Sequence, residues 1–347
     1  MNVDREHDQR VESMRAAMAA RSVMKGWAEG LELIELVRAT HRAGWLADLR
    51  ADATAAELAA AHNTSVEQVS DVMAVLASAG VVRPGERAAS LRLSPDFDAL
   101  VAGASGVEMG TVLGAVELAR GQVAQAVKPM GQAAGIDGEQ ALVVARNWGL
   151  RPSPASRQMI GMLYDVVPEF KARLEGGGPL LDVGCGVGGA LLTALTLFDR
   201  LRAVGVETVP EVADECRRRA EAAGVADRVD IRTMDARKLR DESAFSVSFW
   251  AQPFFSQDVR ADTLATIHRA LRPNGLLLVQ ELFAPQTAQD EPTPRTQLDR
   301  LFFTQRQIPY GLSAEELADE GSAAGFQDPQ VADSPLGRLV LLRKPDC

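Results

Sequence analysis

Cysteine and histidine are scarce: three of the first (Cys185, Cys216, Cys347) and four of the second are spread over 347 residues. They stand too far apart to form a disulfide framework or a metal-ligand cluster, so reduced thiols and no metal site are expected. No apolar run approaches the roughly 20 residues needed to cross a bilayer, and no membrane partner is expected. The first twenty residues mix both charge signs where an export signal would be apolar, which points to a cytoplasmic chain. Positive charge is also short: 37 Lys and Arg stand against 47 Asp and Glu, a net charge of −10. General affinity for nucleic acid comes from cations that neutralise phosphates, so that partner is disfavoured.

A 46% hydrophobic and 24% charged composition is that of a globular protein. The length suits two domains. Between residues 28 and 100, Leu31, Ile34, Leu36 and Val37 recur at helical spacing, and Thr54-Ala55-Ala56-Glu57 reads as a capping box that opens a second helix. Residues 65–78 supply a third helix. Val81-Val82 and Leu91-Arg92-Leu93 follow as two short strands around a turn. This is a winged-helix pattern. Its third helix carries Glu67 and Asp71 and no Lys or Arg, which argues against a DNA groove and for a dimerising front domain. Residues 107–150 are helical and apolar at Val112, Leu113, Val116, Leu118, Val123 and Val127, more than one exposed helix needs. The expected division is a dimerisation domain over 1–100, a helical connector over 101–155 that adds to dimer and pocket, and a second domain over 156–347.

From Leu180 onward, short apolar strands alternate with helices. Strands are expected at 180–183, 203–206, 229–232, 245–250, 276–280 and 337–343, with helices at 190–198, 210–223, 263–271, 295–305 and 313–324. Such alternation predicts an α/β, doubly wound, parallel sheet that binds its ligand at the carboxyl ends of the strands.

The first strand runs into Leu181-Asp182-Val183-Gly184-Cys185-Gly186-Val187-Gly188-Gly189. Its glycines let backbone approach a ligand closely. Alone the loop also satisfies the dinucleotide fingerprint through Gly184, Gly186 and Gly189. Glu207, about 25 residues beyond Asp182, closes the second strand, where a carboxylate accepts both ribose hydroxyls of NAD or S-adenosylmethionine (SAM) alike. Asp235 and Ala236 close the third, where an acid takes an adenine amino group and apolar atoms cover the ring. Asp182 would repel a pyrophosphate but suits the cationic end of a methionine moiety.

Together these residues resemble the class I SAM-dependent methyltransferases over about 155–347. With the front domain added, the chain looks like the two-domain small-molecule O-methyltransferases. The resemblance implies a Rossmann-like SAM domain, a homodimer through the front domain, and a small-molecule substrate of a specialised pathway.

Many members of that family carry a His-Asp-Trp segment after the fourth strand, whose histidine takes the acceptor's proton. Here its place falls near Pro253-Phe254-Phe255-Ser256, with no histidine. Glu281 stands where the family keeps an acid that orients this base, and Gly311-Leu312-Ser313 replaces a further acid. His268 lies on the helix leading to Leu271, where packing or solvent is its expected place. Without a base, acceptors that are already nucleophilic are favoured: a carboxylate, an acidic phenol, an amine or an enol carbon. Gln252, Trp250 and Glu281 are the catalytic candidates. Asp182, Gly184, Gly186, Glu207, Asp235 and Ala236 are the cofactor candidates, and Phe254, Arg300, Phe303 and Tyr164 the substrate candidates. Arg295 and Arg306 lie in the same lid region, where one arginine pairs with a substrate carboxylate or each makes a surface salt bridge. Asn147, Arg151, Arg157 and Met159 precede the loop in the helix that covers SAM in this family. Three other readings stand beside methyl transfer: cyclisation or cleavage of SAM on the same fold, a SAM- or DNA-binding regulator, and an NAD oxidoreductase.

Overall fold

The structure, a computed structural model, describes residues 2–103, 106–127, 136–283 and 291–346, with side chains from residue 9 onward. Cys347 and residues 128–135 of the expected helical connector lie outside the described residues. The chain divides into two compact units, Met1–Gly103 and Ala104–Cys347. The helices between residues 106 and 155 thus belong with the second unit.

In the first unit a long helix α1 (Asn2–Arg42) leads to α2 (Trp45–Asp48), β1 (Ala53–Thr54), α3 (Ala55–Ala61), α4 (Val66–Ser78), β2 (Val82–Pro84), β3 (Ser90–Leu93) and α5 (Pro95–Ala102). The capping box expected at Thr54 is present. The Thr54 hydroxyl accepts the Glu57 N–H at 3.2 Å and the Glu57 carboxylate accepts the Thr54 N–H at 2.7 Å. β2 and β3 form the expected antiparallel hairpin, with Val82 opposite Leu93. The short β1, read as a helix cap alone, also pairs with β3. Val69, Met73 and Leu76 bury the inner face of α4 at helical spacing. Most of α1 is exposed, and its apolar Met14, Met18, Met24, Trp27 and Leu31 face solvent.

The second unit begins with α6 (Met109–Val123), α7 (Gly138–Trp148), α8 (Pro154–Asp165) and α9 (Pro168–Glu175). It continues through β4 (Leu180–Val183), α10 (Gly189–Leu197), β5 (Ala203–Glu207), α11 (Pro210–Ala222), β6 (Val229–Thr233) and β7 (Phe245–Trp250). It ends with α12 (Gln257–Ala270), β8 (Leu271–Gln280), α13 (Pro294–Thr304), α14 (Ala314–Ala323), β9 (Gln327–Ala332) and β10 (Leu339–Arg343). The seven strands lie in the order β6-β5-β4-β7-β8-β10-β9. β6 to β8 are parallel, whereas β10 runs antiparallel to β8 and β9 antiparallel to β10. The sheet is therefore mostly, not wholly, parallel, and β9 was not expected. Its sequence Gln327-Asp328-Pro329-Gln330 lacks strand character because it is an exposed edge, the place where a proline is tolerated.

The apolar strands fill both faces of the sheet. Leu276, Leu278, Leu339 and Leu341 pack on one side with Leu191, Leu195 and Phe170. Leu277, Val279, Val340 and Leu342 pack on the other with Leu264, Ile267 and Leu317. This two-residue alternation under helices on both sides explains why the strands read as unbroken apolar runs. Strand order reverses between β4 and β7, so the crevice beyond their carboxyl ends is where such a sheet holds a ligand.

Candidate active site

A cavity of about 670 Å³ opens at that reversal. The loop after β4 forms its floor. Gly184, Gly186 and Gly188 have φ of +74°, +56° and +81°, a region that side-chain-bearing residues rarely adopt. A Cβ on Gly184 would lie 2.7 Å from the Phe255 ring, whereas one on Gly186 would meet nothing within 4 Å. Gly186 is thus glycine for its backbone shape and leaves open space in the cavity.

Three carboxylates line the cavity. Asp182 is 2% exposed, and its Oδ1 has no hydrogen-bond partner. Burial, helped by the negative charge of Glu207, pushes its carboxyl up to about 8. Glu207, at the end of β5, accepts the Gly186 N–H at 3.1 Å and the Val209 N–H at 2.9 Å. Burial raises its carboxyl too, against those hydrogen bonds. Asp235 caps the short turn that begins at Ala236 and pairs with the Arg237 guanidinium at 2.7 Å, which holds its carboxyl below the usual range. Ala236 lies in the wall beside it. An orphaned buried carboxyl, an acid at the end of the neighbouring strand and an apolar slot closed by an acid fit an ammonium, a ribose diol and an adenine. All six expected cofactor residues line the cavity.

Much of the remaining lining is aromatic, and Phe249 stands beside Asp182 across β4 and β7. Trp148, Phe249, Trp250, Phe254, Phe255 and Phe302 line the cavity with Leu282, Ile308, Leu336 and Arg306. Trp250 is 1% exposed, and the Arg260 guanidinium lies 4.7 Å from its ring centre. Arg260 is buried as well and is held by Glu320 at 2.6 Å and by the Gln252 carbonyl at 3.1 Å. Pro253, Phe254, Phe255 and Ser256, where the family's histidine segment would fall, do line the cavity. No histidine among the described residues joins them. His268 packs edge-on against Phe326, and burial lowers its imidazole.

Five of the catalytic and substrate candidates lie outside the lining. Gln252 is buried, and its amide donates to the Gln280 carbonyl at 3.2 Å, which fixes the segment after β7 to the end of β8. Glu281 is 4% exposed; it pairs with Arg338 at 2.7 Å and accepts the Ala314 N–H at 3.2 Å. These contacts tie β8 to the start of α14, and no base is among them. Phe303 is buried within Phe254, Phe283, Phe302 and Tyr310 and backs the aromatic wall from behind. Arg300 is exposed. Tyr164 lies in the core against Phe170 and Phe198, with its hydroxyl pushed up by burial. In the lid region Arg295 forms a surface pair with Asp299. Of the residues preceding the loop, Met159 lines the cavity, whereas Arg151 pairs with Glu108 at 3.2 Å. Trp148 and Arg260 gave no sequence signal, because each depends on partners far along the chain.

Residues 180–275 match the family described as "Methyltransferase domain". Over 142 residues the chain is 27% identical to a carboxy-S-adenosyl-L-methionine synthase of Escherichia coli (strain UMN026), an alignment covering 40% of this chain and 56% of the synthase. The chain thus spans little more than half the length of the curated relatives it matches. An O-methyltransferase family protein from Burkholderia thailandensis superposes with a TM-score of 0.70 at 15% identity, covering 91% of this chain and 95% of that one. The mitomycin 7-O-methyltransferase does so with a TM-score of 0.67 at 19% identity, over 95% and 99%. At such identities these two speak for the fold. Residues 180–275 thus match a methyltransferase domain, and the chain has the fold of the two O-methyltransferase structures.

Proposed function

We propose that the protein transfers the methyl group of SAM to a small molecule that is already nucleophilic when it binds. The observation that carries this reading is a single cavity that joins the glycine loop and its three carboxylates to an aromatic chamber in which no described histidine stands. When bound, SAM supplies an electrophilic methyl on a sulfonium leaving group. Asp182, in its ionised form, receives the amino group of the methionine part. Glu207 accepts the ribose hydroxyls, and Asp235 with Ala236 receives the adenine. In the aromatic part of the lining Trp250, Phe254 and Phe302 hold an apolar acceptor, exclude water and favour a neighbouring cation. Alignment of acceptor and methyl then accounts for much of the rate, and no side chain here is assigned to remove a proton. A carboxylate, an acidic phenol, an amine or an enol carbon meets that condition.

The front unit, read as a winged helix, is proposed to make a homodimer. The apolar Met14, Met18, Trp27 and Leu31 on α1 support this. Among the described residues no helix is long and apolar enough to cross a membrane. A cytoplasmic place and a role in specialised biosynthesis are proposed together with the activity.

The 27% identity to a protein named as a synthase of a modified SAM favours one second reading, in which SAM is itself the substrate. Incubating the purified protein with SAM separates the two. Release of S-adenosylhomocysteine (SAH) that depends on an added acceptor supports methyl transfer. A new SAM-derived nucleoside formed with no methyl acceptor present supports the second reading and rejects the first.

A further inference from the structure

We propose that Arg306 forms the anion-binding subsite of the acceptor chamber and that the acceptor carries a carboxylate held there. This rests on the methyltransferase reading above and adds the chemical class of the substrate. Arg306 lies just beyond α13, where its N–H bonds the Phe303 carbonyl at 3.0 Å and the Gln307 carbonyl accepts the Gln257 N–H at 2.9 Å. The backbone is thus fixed beside the start of α12, next to Ser256 and Val259 of the cavity lining.

The guanidinium lies over the Phe302 ring, 3.9 Å from its centre, and one Nη donates to the Phe302 carbonyl at 2.7 Å. Its Nε is buried and bonds to nothing. No carboxylate among the described residues forms an ion pair with Arg306. Arg237, the other arginine of the lining, is paired with Asp235. Arg306 is therefore a half-buried cation set in a wall of Phe254, Phe302, Ile308 and Leu336, with a donor aimed away from water. An unmet buried donor on a charged group is costly. The group that satisfies it best is a planar anion matching the guanidinium fork, and a carboxylate does so with two parallel hydrogen bonds. The aromatic lining suits a flat ring that bears the acid. The carboxylate is then a handle that orients the acceptor, and the methylated atom lies elsewhere on the molecule or on the acid itself.

The rival anion is the methionine carboxylate of SAM, which would place Arg306 in the cofactor site instead. Calorimetric titration of wild type and Arg306→Gln decides between them. SAH is titrated first; the SAH-saturated proteins are then titrated with 1-naphthoate and indole-3-acetate and with the uncharged amides of both. The expected result is equal SAH affinity in the two proteins, a preference of wild type for the acids over the amides of about tenfold, and loss of that preference in Arg306→Gln. Arg306→Lys should keep part of it. Equal binding of acids and amides by wild type, or a preference that survives in Arg306→Gln, overturns the proposal. A fall in SAH affinity of similar size in Arg306→Gln assigns the residue to the methionine carboxylate and overturns it too. Failure of wild type to bind SAH at all marks the collapse of the methyltransferase reading itself, and this inference falls with it.

Discussion

Replacing Asp182 with asparagine preserves the volume of a buried carboxyl and removes its charge. In the free protein this group titrates at about 8, because burial and the nearby Glu207 disfavour the anion. At pH 7 only about one molecule in ten carries the ionised form. A ligand ammonium beside the orphaned Oδ1 requires that form, so binding expels close to one proton. Wild-type affinity for SAH should therefore rise about tenfold per pH unit between pH 6 and 7.5 and level off above 8. Asp182→Asn gives up a charge-assisted contact, about 1.5 to 3 kcal/mol, or roughly ten- to a hundredfold in Kd at pH 8, and its binding loses the slope. Stability of the free protein has the opposite sign. The folded-state value lies above the unfolded 3.8, so between the two the native state holds more protons and this group costs stability as pH rises toward 8. The asparagine variant escapes that cost, and its advantage over wild type should widen from pH 5 to pH 8. Calorimetry in two buffers of different ionisation enthalpy measures the proton, and thermal melts across the same range measure the second effect. Equal SAH affinity of the two proteins at pH 8, with a flat pH profile in wild type, would refute the assignment.

Gly186→Ala forces a side-chain-bearing residue to a φ of +56°, at about 1 to 2 kcal/mol, and adds a methyl to the open cavity. SAH affinity should fall at least about tenfold while the melting temperature drops by only a few degrees; an unchanged titration would show that the ligand does not approach this loop. Glu281→Ala leaves the Ala314 N–H unmet and Arg338, a third exposed, with Glu315 alone, and should destabilise by about 1 to 2 kcal/mol. Folded protein should still turn over normally, and lost turnover with an intact melt would make Glu281 part of the chemistry after all. Trp27→Arg puts a charge on the exposed apolar face of α1 and should shift sedimentation toward the monomer, whereas a monomeric wild type would dispose of the proposed dimer.

Local signals carried most of the fold. The glycines after β4, the proline opening α11 and the capping box at Thr54 each act within a few residues, so sequence alone places them. β9 escaped because its residues answer to a long-range demand: an edge strand needs one ladder of hydrogen bonds to β10 and little burial, and no apolar pattern marks that. The antiparallel turn of the last two strands was hidden for the same reason, since the direction of pairing is set by connections and not by composition.

The two halves of the site were unequally legible for a physical reason. A cofactor of fixed shape meets backbone at loop and strand ends, so Asp182, Glu207 and Asp235 occupy positions countable from the glycines, and all three reach the cavity. Acceptor residues come instead from side chains of several elements, and their roles depend on which neighbour takes each polar group. Glu281 looks like a catalytic acid until Arg338 and Ala314 are seen to satisfy it, and Gln252 until its amide is seen to bind Gln280. Arg306 is the reverse case. Sequence left open whether one of the lid arginines meets a substrate carboxylate or each makes a surface pair; Arg295 pairs with Asp299, while Arg306 turns inward onto Phe302 with its Nε unmet. What sets Arg306 apart from the other lid arginine, Arg295, is the partner it lacks, and that can be counted only once the fold has placed the neighbours.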